Sequence, residues 1–258
     1  MYLITLDQQL HLVPLSNPHE ILDVGTGTGI WAIEMAELYP TARVTGTDLS
    51  PIQPIDVPPN LYFEVDDARL DWTFPENTFD FVHVRELFGC IPDWDFFFEE
   101  AFKCIKPGGW IEVVEHSVEP ISSDGSVTED HFFTTWGKTV MEMGRRRGCT
   151  FGIWREAKQK LEAAGFVDVT EVGYVWPMNG WSHDRKLHEI GRWNQARLHH
   201  GIEGFMLRML TNVGGWSTER AQLFLAEMRR CLRDYRTHAY LPGTVVYARK
   251  PMLSLIHI

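Results

Sequence analysis

Asp23-Val24-Gly25-Thr26-Gly27-Thr28-Gly29 places one acid and three alternating glycines where an apolar segment gives way to a helical pattern. Backbone without Cβ atoms turns sharply and lets a ligand approach closely. The helix that follows contributes unpaired N–H groups and the positive end of its dipole. The dinucleotide fingerprint is G-x-G-x-x-G, whereas the glycines here run G-x-G-x-G and Ile30 stands where the third dinucleotide glycine belongs. Asp23 can accept hydrogen bonds from an amino group, which a pyrophosphate lacks and S-adenosylmethionine (SAM) carries. Both features favour SAM over NAD. Asp48 falls about 20 residues past the glycines, the usual reach of a carboxylate for ribose hydroxyls, and bonds of that kind are charge-assisted. Asp67 can accept from an adenine amino group while the small Ala68 lets the ring lie flat, and Arg85 stands at the end of a strand. The expected cofactor set is Asp23, Gly25, Thr26, Gly27, Gly29, Asp48, Leu49, Asp67, Ala68 and Arg85.

Methyl transfer from a sulfonium needs a base only when the acceptor must lose a proton. His116 directly follows a strand and titrates near neutrality, which makes it the first candidate base; it reads equally as a histidine that satisfies loop backbone. Glu86 is the second candidate, and Glu115 reads as structural or catalytic. Trp181, Trp193 and Asn194 are candidates for the acceptor pocket, with helix core the alternative for the two tryptophans. No metal site is expected: His199 and His200 are adjacent and diverge on a helix, and His183 and His188 lack the spacing that places two ligands on one face.

These residues need strands to carry them. Glu20–Val24, Arg43–Asp48, Leu61–Val65, Phe79–Val84 and Trp110–Glu115 read as strands, the last following a turn at Lys106-Pro107-Gly108-Gly109. A helix is expected over 29–38, and Trp94, Phe97, Phe98, Ala101, Phe102 and Ile105 recur at helical spacing. Strands alternating with helices imply a parallel sheet. The connection 50–60 carries four prolines and cannot be a long helix. Beyond residue 116 the chain reads as helical over 128–148, 152–164, 184–198, 204–212 and 218–235, with Gly201 and Gly204 as breaks and Ser217 as an N-cap. Segments 166–176 and 238–249 read as strands that complete the sheet as an antiparallel pair. The expected fold is α/β, a Rossmann-like, mostly parallel seven-stranded sheet in one domain over 1–252. Its cofactor half is about 15–118, and helical insertions at 128–148 and 183–213 cap the substrate side.

Composition is compatible with that fold. Hydrophobic residues make up 44% of 258, which argues against disorder. No apolar run approaches the ~20 residues needed to span a bilayer, and the first residues lack a basic, cleavable leader. Cys90, Cys104, Cys149 and Cys231 are widely spread, which fits a reducing compartment. Residues 1–115 carry a net charge of −15 and the remainder +4, so direct nucleic-acid binding by the first half is disfavoured.

The motifs also resemble a known family. Ile21–Ala32 resembles motif I of the fungal LaeA-like (TAM domain) methyltransferases, and Gly46-Thr47-Asp48-Leu49-Ser50-Pro51-Ile52-Gln53-Pro54 matches that group's distinctive second motif. Phe63–Ala68, Trp72–Asp80, Lys106–Trp110, Gly191-Arg192-Trp193-Asn194 and His238-Ala239-Tyr240 match as well. The resemblance implies class I methyltransferase architecture, SAM as cofactor and a link to fungal secondary metabolism. The output would be either a tailoring enzyme with a small-molecule acceptor or a regulator acting through a protein partner, in cytoplasm or nucleus. Members carry a helical segment ahead of the stretch matched by Met1–Leu15 that helps cover the cofactor, so the late start implies weakened binding. Residues 253–258 match nothing in the group and read as a non-native tail.

Overall fold

The computed structural model describes residues 1–252; the tail at 253–258 lies outside the described residues. Strands β1 (Glu20–Val24), β2 (Arg43–Asp48), β3 (Leu61–Val65), β4 (Phe79–Arg85), β5 (Ile105–His116), β6 (Val167–Pro177) and β7 (Tyr240–Arg249) form one sheet in the order β3-β2-β1-β4-β5-β7-β6. Strands β1 to β5 are parallel where they pair. β7 runs antiparallel to β5, with Gly108 N donating to Lys250 O at one end and Ser117 N to Pro242 O at the other. The fold is thus a Rossmann-like, mostly parallel seven-stranded sheet in which β7 runs against β5.

The central strands form because they are apolar on both faces, as buried parallel strands must be. Ile21, Leu22, Val44, Phe81, Val82 and Val84 are fully buried. Helix α2 (Ile30–Leu38) turns Trp31, Ala32, Met35 and Ala36 onto that sheet. Each large side chain of this kind contributes about 1.5–3 kcal/mol on burial. Helix α3 (Trp94–Cys104) begins at Asp93, whose carboxylate accepts from the amides of Asp95 and Phe96.

Two local expectations are corrected and a third element is added. Lys106-Pro107-Gly108-Gly109 does not end as a separate turn; β5 starts at Ile105, and a bulge between Phe79 and Phe81 together with Gly108 at φ 82° absorbs the irregularity inside the strand. The second correction concerns Gly201 and Gly204, which do not break their helix. A single helix, α6 (Arg185–Arg208), runs through both and ends in a π-turn over Met209–Val213. A glycine costs only about 1 kcal/mol in a helix, and buried Ile202 and Met206 keep this stretch docked. Third, a short helix α1 (Tyr2–Thr5), absent from the sequence reading, precedes β1. Helices α4 (Phe132–Arg147), α5 (Ile153–Ala163) and α7 (Thr218–Cys231) lie where periodicity places them, and Ser217 caps α7 through a bond from Arg220 N.

The described chain divides into two compact units. The first is helical, built from residues 1–8, 116–152 and 173–243. Within it Gly191 packs α6 against the backbone of Asn179, and the ring of Trp136 stacks on Phe224 at 5.5 Å. The second comprises residues 9–115, 153–172 and 244–252 and holds β1 to β4 with the greater part of β5.

In the second unit a strap over residues 10–15 is fastened from three sides. Trp31 Nε1 donates to Leu10 O, His11 bonds Tyr39 Oη at 3.0 Å, and Glu112 Oε2 accepts from the amides of Leu12 and Val13. Glu112 is fully buried, its other oxygen has no hydrogen-bond partner among the described residues, and burial pushes its carboxyl up to about 7. An unfolded glutamate titrates near pH 4.3. The folded state therefore binds the extra proton between about pH 4.5 and 7, so stability is greatest below that window and falls as pH rises through it. Urea unfolding at several pH values should show a decline of about 2–3 kcal/mol across the window that is absent in Glu112→Gln; identical slopes would remove Glu112 as its source.

Candidate functional site

In an open α/β sheet, ligands collect outside the carboxyl ends of the strands where strand order reverses. Here the reversal lies between β1 and β4, and the glycine segment leaves β1 at that point. Gly25, Gly27 and Gly29 all adopt left-handed backbone, with φ of 71°, 59° and 80°. Space adds a second constraint at two of them. A Cβ on Gly25 would sit 2.4 Å from Leu87 Cδ2, and one on Gly29 2.4 Å from the ring of Phe63. Gly29 is therefore where the chain packs tightly, and Ile30, which replaces the third dinucleotide glycine, points outward and is exposed. The N-terminus of α2 has no side-chain cap, so the amide groups that open this helix are left for a ligand.

Asp48 ends β2 and holds the segment's shape. Its Oδ2 accepts from Gly27 N at 2.8 Å and its Oδ1 from Ser50 N at 2.9 Å. Each carboxylate oxygen keeps a further lone pair, so Asp48 retains capacity for a pair of ribose hydroxyls. Gln53 fastens the other side of the loop, donating through Nε2 to Gly27 O at 2.6 Å and to Ser50 O at 3.0 Å. The Asp48–Pro54 motif and the glycine segment thus form one hydrogen-bonded body. Leu49 is exposed, which suits a side chain that covers an aromatic ring.

Asp67 stands two residues past β3, and its carboxylate is taken by Arg69 through Nε at 2.7 Å and a terminal nitrogen at 2.6 Å. The Arg69 guanidinium holds Asp67 below the usual carboxylate range. Asp67 is only partly covered. Ala68, beside it, is half-buried. Arg85 ends β4 and is half-buried, and Glu86 follows in left-handed backbone at φ 55°. Glu115 shapes that turn from below: fully buried, it accepts from the amides of Leu87 and Phe88. Burial raises its carboxyl well above the ordinary value.

Asp23, at the end of β1, is buried and hydrogen-bonded on both oxygens. It is 3% exposed. Its Oδ2 accepts from the hydroxyl of Thr26 at 2.6 Å and its Oδ1 bonds His83 Nδ1 at 2.8 Å. Each oxygen of the carboxylate thus has one partner within the protein.

The remaining candidates lie in the helical unit, where the structure does not group them. His116 is buried; its Nδ1 bonds Ser117 O at 2.7 Å and its Nε2 lies 3.4 Å from an Arg197 nitrogen. It satisfies loop backbone and is not presented to solvent as a base. Asn194 is fully buried and donates to Pro177 O at 3.0 Å. Trp181 donates to Ala239 O at 2.8 Å. Trp193 is exposed beside Arg185, His188, Glu189, Arg192 and Ala196, which line an open groove of about 460 Å³. Asn194 thus docks a helix, and Trp193 borders a groove. Among the described residues no group of three or more His, Cys, Asp or Glu could hold a metal ion, and no helix is long and apolar enough to cross a membrane.

The sequence reading missed His83, Leu87 and Phe63, and it gave Gln53 no role. For His83 a signal exists: it is a polar residue inside an apolar strand, paired in register with Asp23. The contacts of Phe63 with Gly29 and of Leu87 with Gly25 join segments distant in sequence and carry no mark in it.

Residues 5–171 match the family model described as a methyltransferase domain. The chain is 37% identical over 250 residues to the secondary metabolism regulator LAE1 of Cochliobolus heterostrophus, covering 94% of this chain and 81% of that one. It is 33% identical over 253 residues to methyltransferase pytC of Aspergillus terreus, covering 97% and 78%. Among solved structures, the phosphoethanolamine N-methyltransferase 2 of Haemonchus contortus, crystallised with S-adenosylhomocysteine, superposes with a TM-score of 0.57 at 19% identity. That match covers 93% of this chain, which spans about half the length of the nematode protein.

Proposed function

The chain belongs to the methyltransferase-domain family, in its LaeA-like fungal group, and is a SAM-dependent methyltransferase; from that premise we propose that its acceptor is a small molecule of fungal secondary metabolism. The observation that carries the reading is the Asp48 carboxylate clasping the Gly27 amide at the strand-order reversal. Gly25, Thr26, Gly27 and Gly29 bring backbone against the amino-acid part of SAM, and Arg85 offers a cation to its carboxylate. Asp48 takes the ribose hydroxyls, Leu49 and Ala68 flank the adenine, and Asp67 accepts from its amino group. SAM supplies an electrophilic methyl on a sulfonium. The protein's contribution is alignment, which alone supplies about 7–11 kcal/mol when reacting atoms are held in attack geometry. With His116 engaged by loop backbone, Glu86, at the β4 turn, is the candidate base for an acceptor that must shed a proton. The setting that goes with this reading is cytoplasm or nucleus.

A regulatory output is the second reading, and one observation favours it. Ile52 and Ile55 on the β2–β3 connection are 62% and 100% exposed, apolar groups that a partner protein would cover. Incubation with methyl-tritiated SAM and an organic extract of fungal culture separates the two. The small-molecule reading expects label in the organic-soluble fraction, lost in Asp48→Ala; label confined to protein would overturn it.

A further inference from the structure

We infer that His83 is a positioning residue for the methyl donor, the buried support through which Asp23 sets the shape of the glycine segment. The inference rests on the reading that this segment binds SAM. Asp23 and His83 stand side by side on β1 and β4. The 2.8 Å contact joins Asp23 Oδ1 to His83 Nδ1, and an ionised carboxylate only accepts, so Nδ1 carries the proton and donates. Burial pushes the ring down to about 4, so it is neutral near pH 7 and presents one fixed donor. The second carboxylate oxygen of Asp23 then takes the Thr26 hydroxyl at 2.6 Å.

Thr26 lies between Gly25 and Gly27, and its amide donates to Thr47 O at 2.8 Å. Thr26 is thereby fixed from two directions, by β2 and by Asp23. Glycine on either side leaves the segment free to adopt other shapes, so the clasp on Thr26 selects the one that suits the ligand. His83 is itself held: Trp31, in the first turn of α2, stacks on it at 3.7 Å with 7° between planes. The Trp31 indole in turn donates to Leu10 O. A continuous series of contacts therefore runs from the strap through Trp31, His83 and Asp23 to the cofactor segment, and none of these side chains needs to touch the ligand.

Side-chain isosteres test this. The Asn amide nitrogen takes the place of imidazole Nδ1, whereas that of Gln takes the place of Nε2, so His83→Asn retains the donor to Asp23 and His83→Gln displaces it. Calorimetric titration of the full chain with SAM and with S-adenosylhomocysteine should find His83→Asn within about threefold of wild type. His83→Gln should be weakened tenfold or more at a thermal midpoint matching that of His83→Asn. His83→Phe should lose affinity at least as far; should it fail to fold, the Asn and Gln pair, alike in polarity and similar in size, still decides. Equal affinities for Asn and Gln variants would overturn the inference. Wild-type protein that binds neither compound would overturn the methyl-donor reading itself, and this inference with it.

Discussion

Replacing Asp48 by alanine lowers SAM affinity by a hundredfold or more while leaving the protein folded. The expectation follows from two duties that meet in one carboxylate. Toward the ligand, Asp48 offers lone pairs to two ribose hydroxyls, and hydrogen bonds to a charged group contribute about 1.5–3 kcal/mol each. With a factor of ten for every 1.4 kcal/mol, loss of both bonds alone removes two orders of magnitude or more. Toward the protein, Asp48 accepts from Gly27 N and Ser50 N, so its removal frees the loop whose amides the ligand needs. Asp48→Asn should fall between the two, because one amide oxygen still accepts while the amide nitrogen confronts a backbone N–H. The fold survives because Asp48 is partly exposed and β2 keeps its ladder to β1 and β3. Calorimetry with circular dichroism checks both halves; undiminished affinity in Asp48→Ala would remove it from the site.

The second large effect is on stability and lies in the helical unit. Gly191→Ala should cost about 3–5 kcal/mol, at the severe end for a single substitution. A Cβ there would come within 2.1 Å of the Asn179 carbonyl oxygen and 2.7 Å of its carbon. Those atoms are backbone and cannot rotate aside. Asn179 is also anchored, its side chain donating to Leu232 O and Asp234 O at 3.2 Å. The helix must therefore move, which strains the bond from Asn194 to Pro177 O three residues further on. Alanine's better helix propensity returns only about 1 kcal/mol. By contrast Gly201→Ala, with nothing within 4 Å of its Cβ, should be neutral or slightly stabilising. Urea denaturation of the two variants compares them directly; a Gly191→Ala protein as stable as wild type would mean α6 packs differently.

Much of the sheet was legible because each parallel strand is a short apolar run bounded by turn residues. The glycine spacing and the acids at the strand ends could be read for the same reason: they are local. What escaped is what depends on neighbours distant in sequence. Asp23 reads as a ligand group from its place before the glycines, and its pairing with His83, 60 residues away, is not visible in the sequence. Asn194 reads as a pocket residue because asparagine is polar, yet it lies against Pro177 because Gly191 brings α6 so close. His116 follows a strand at the sheet's carboxyl edge, where bases often stand, but a carbonyl one residue away takes its Nδ1. Gly201 and Gly204 looked like breaks on composition, while burial of Ile202 and Met206 outweighs the local cost.

The account stands on the glycine segment being shaped for an adenosyl sulfonium and not for a pyrophosphate. Titration of the wild-type chain with SAM, S-adenosylhomocysteine and NAD under one set of conditions tests that directly. Micromolar binding of the first two with no measurable binding of NAD is the predicted result; NAD binding as tight as that of SAM, or no binding of either sulfur compound, would contradict it.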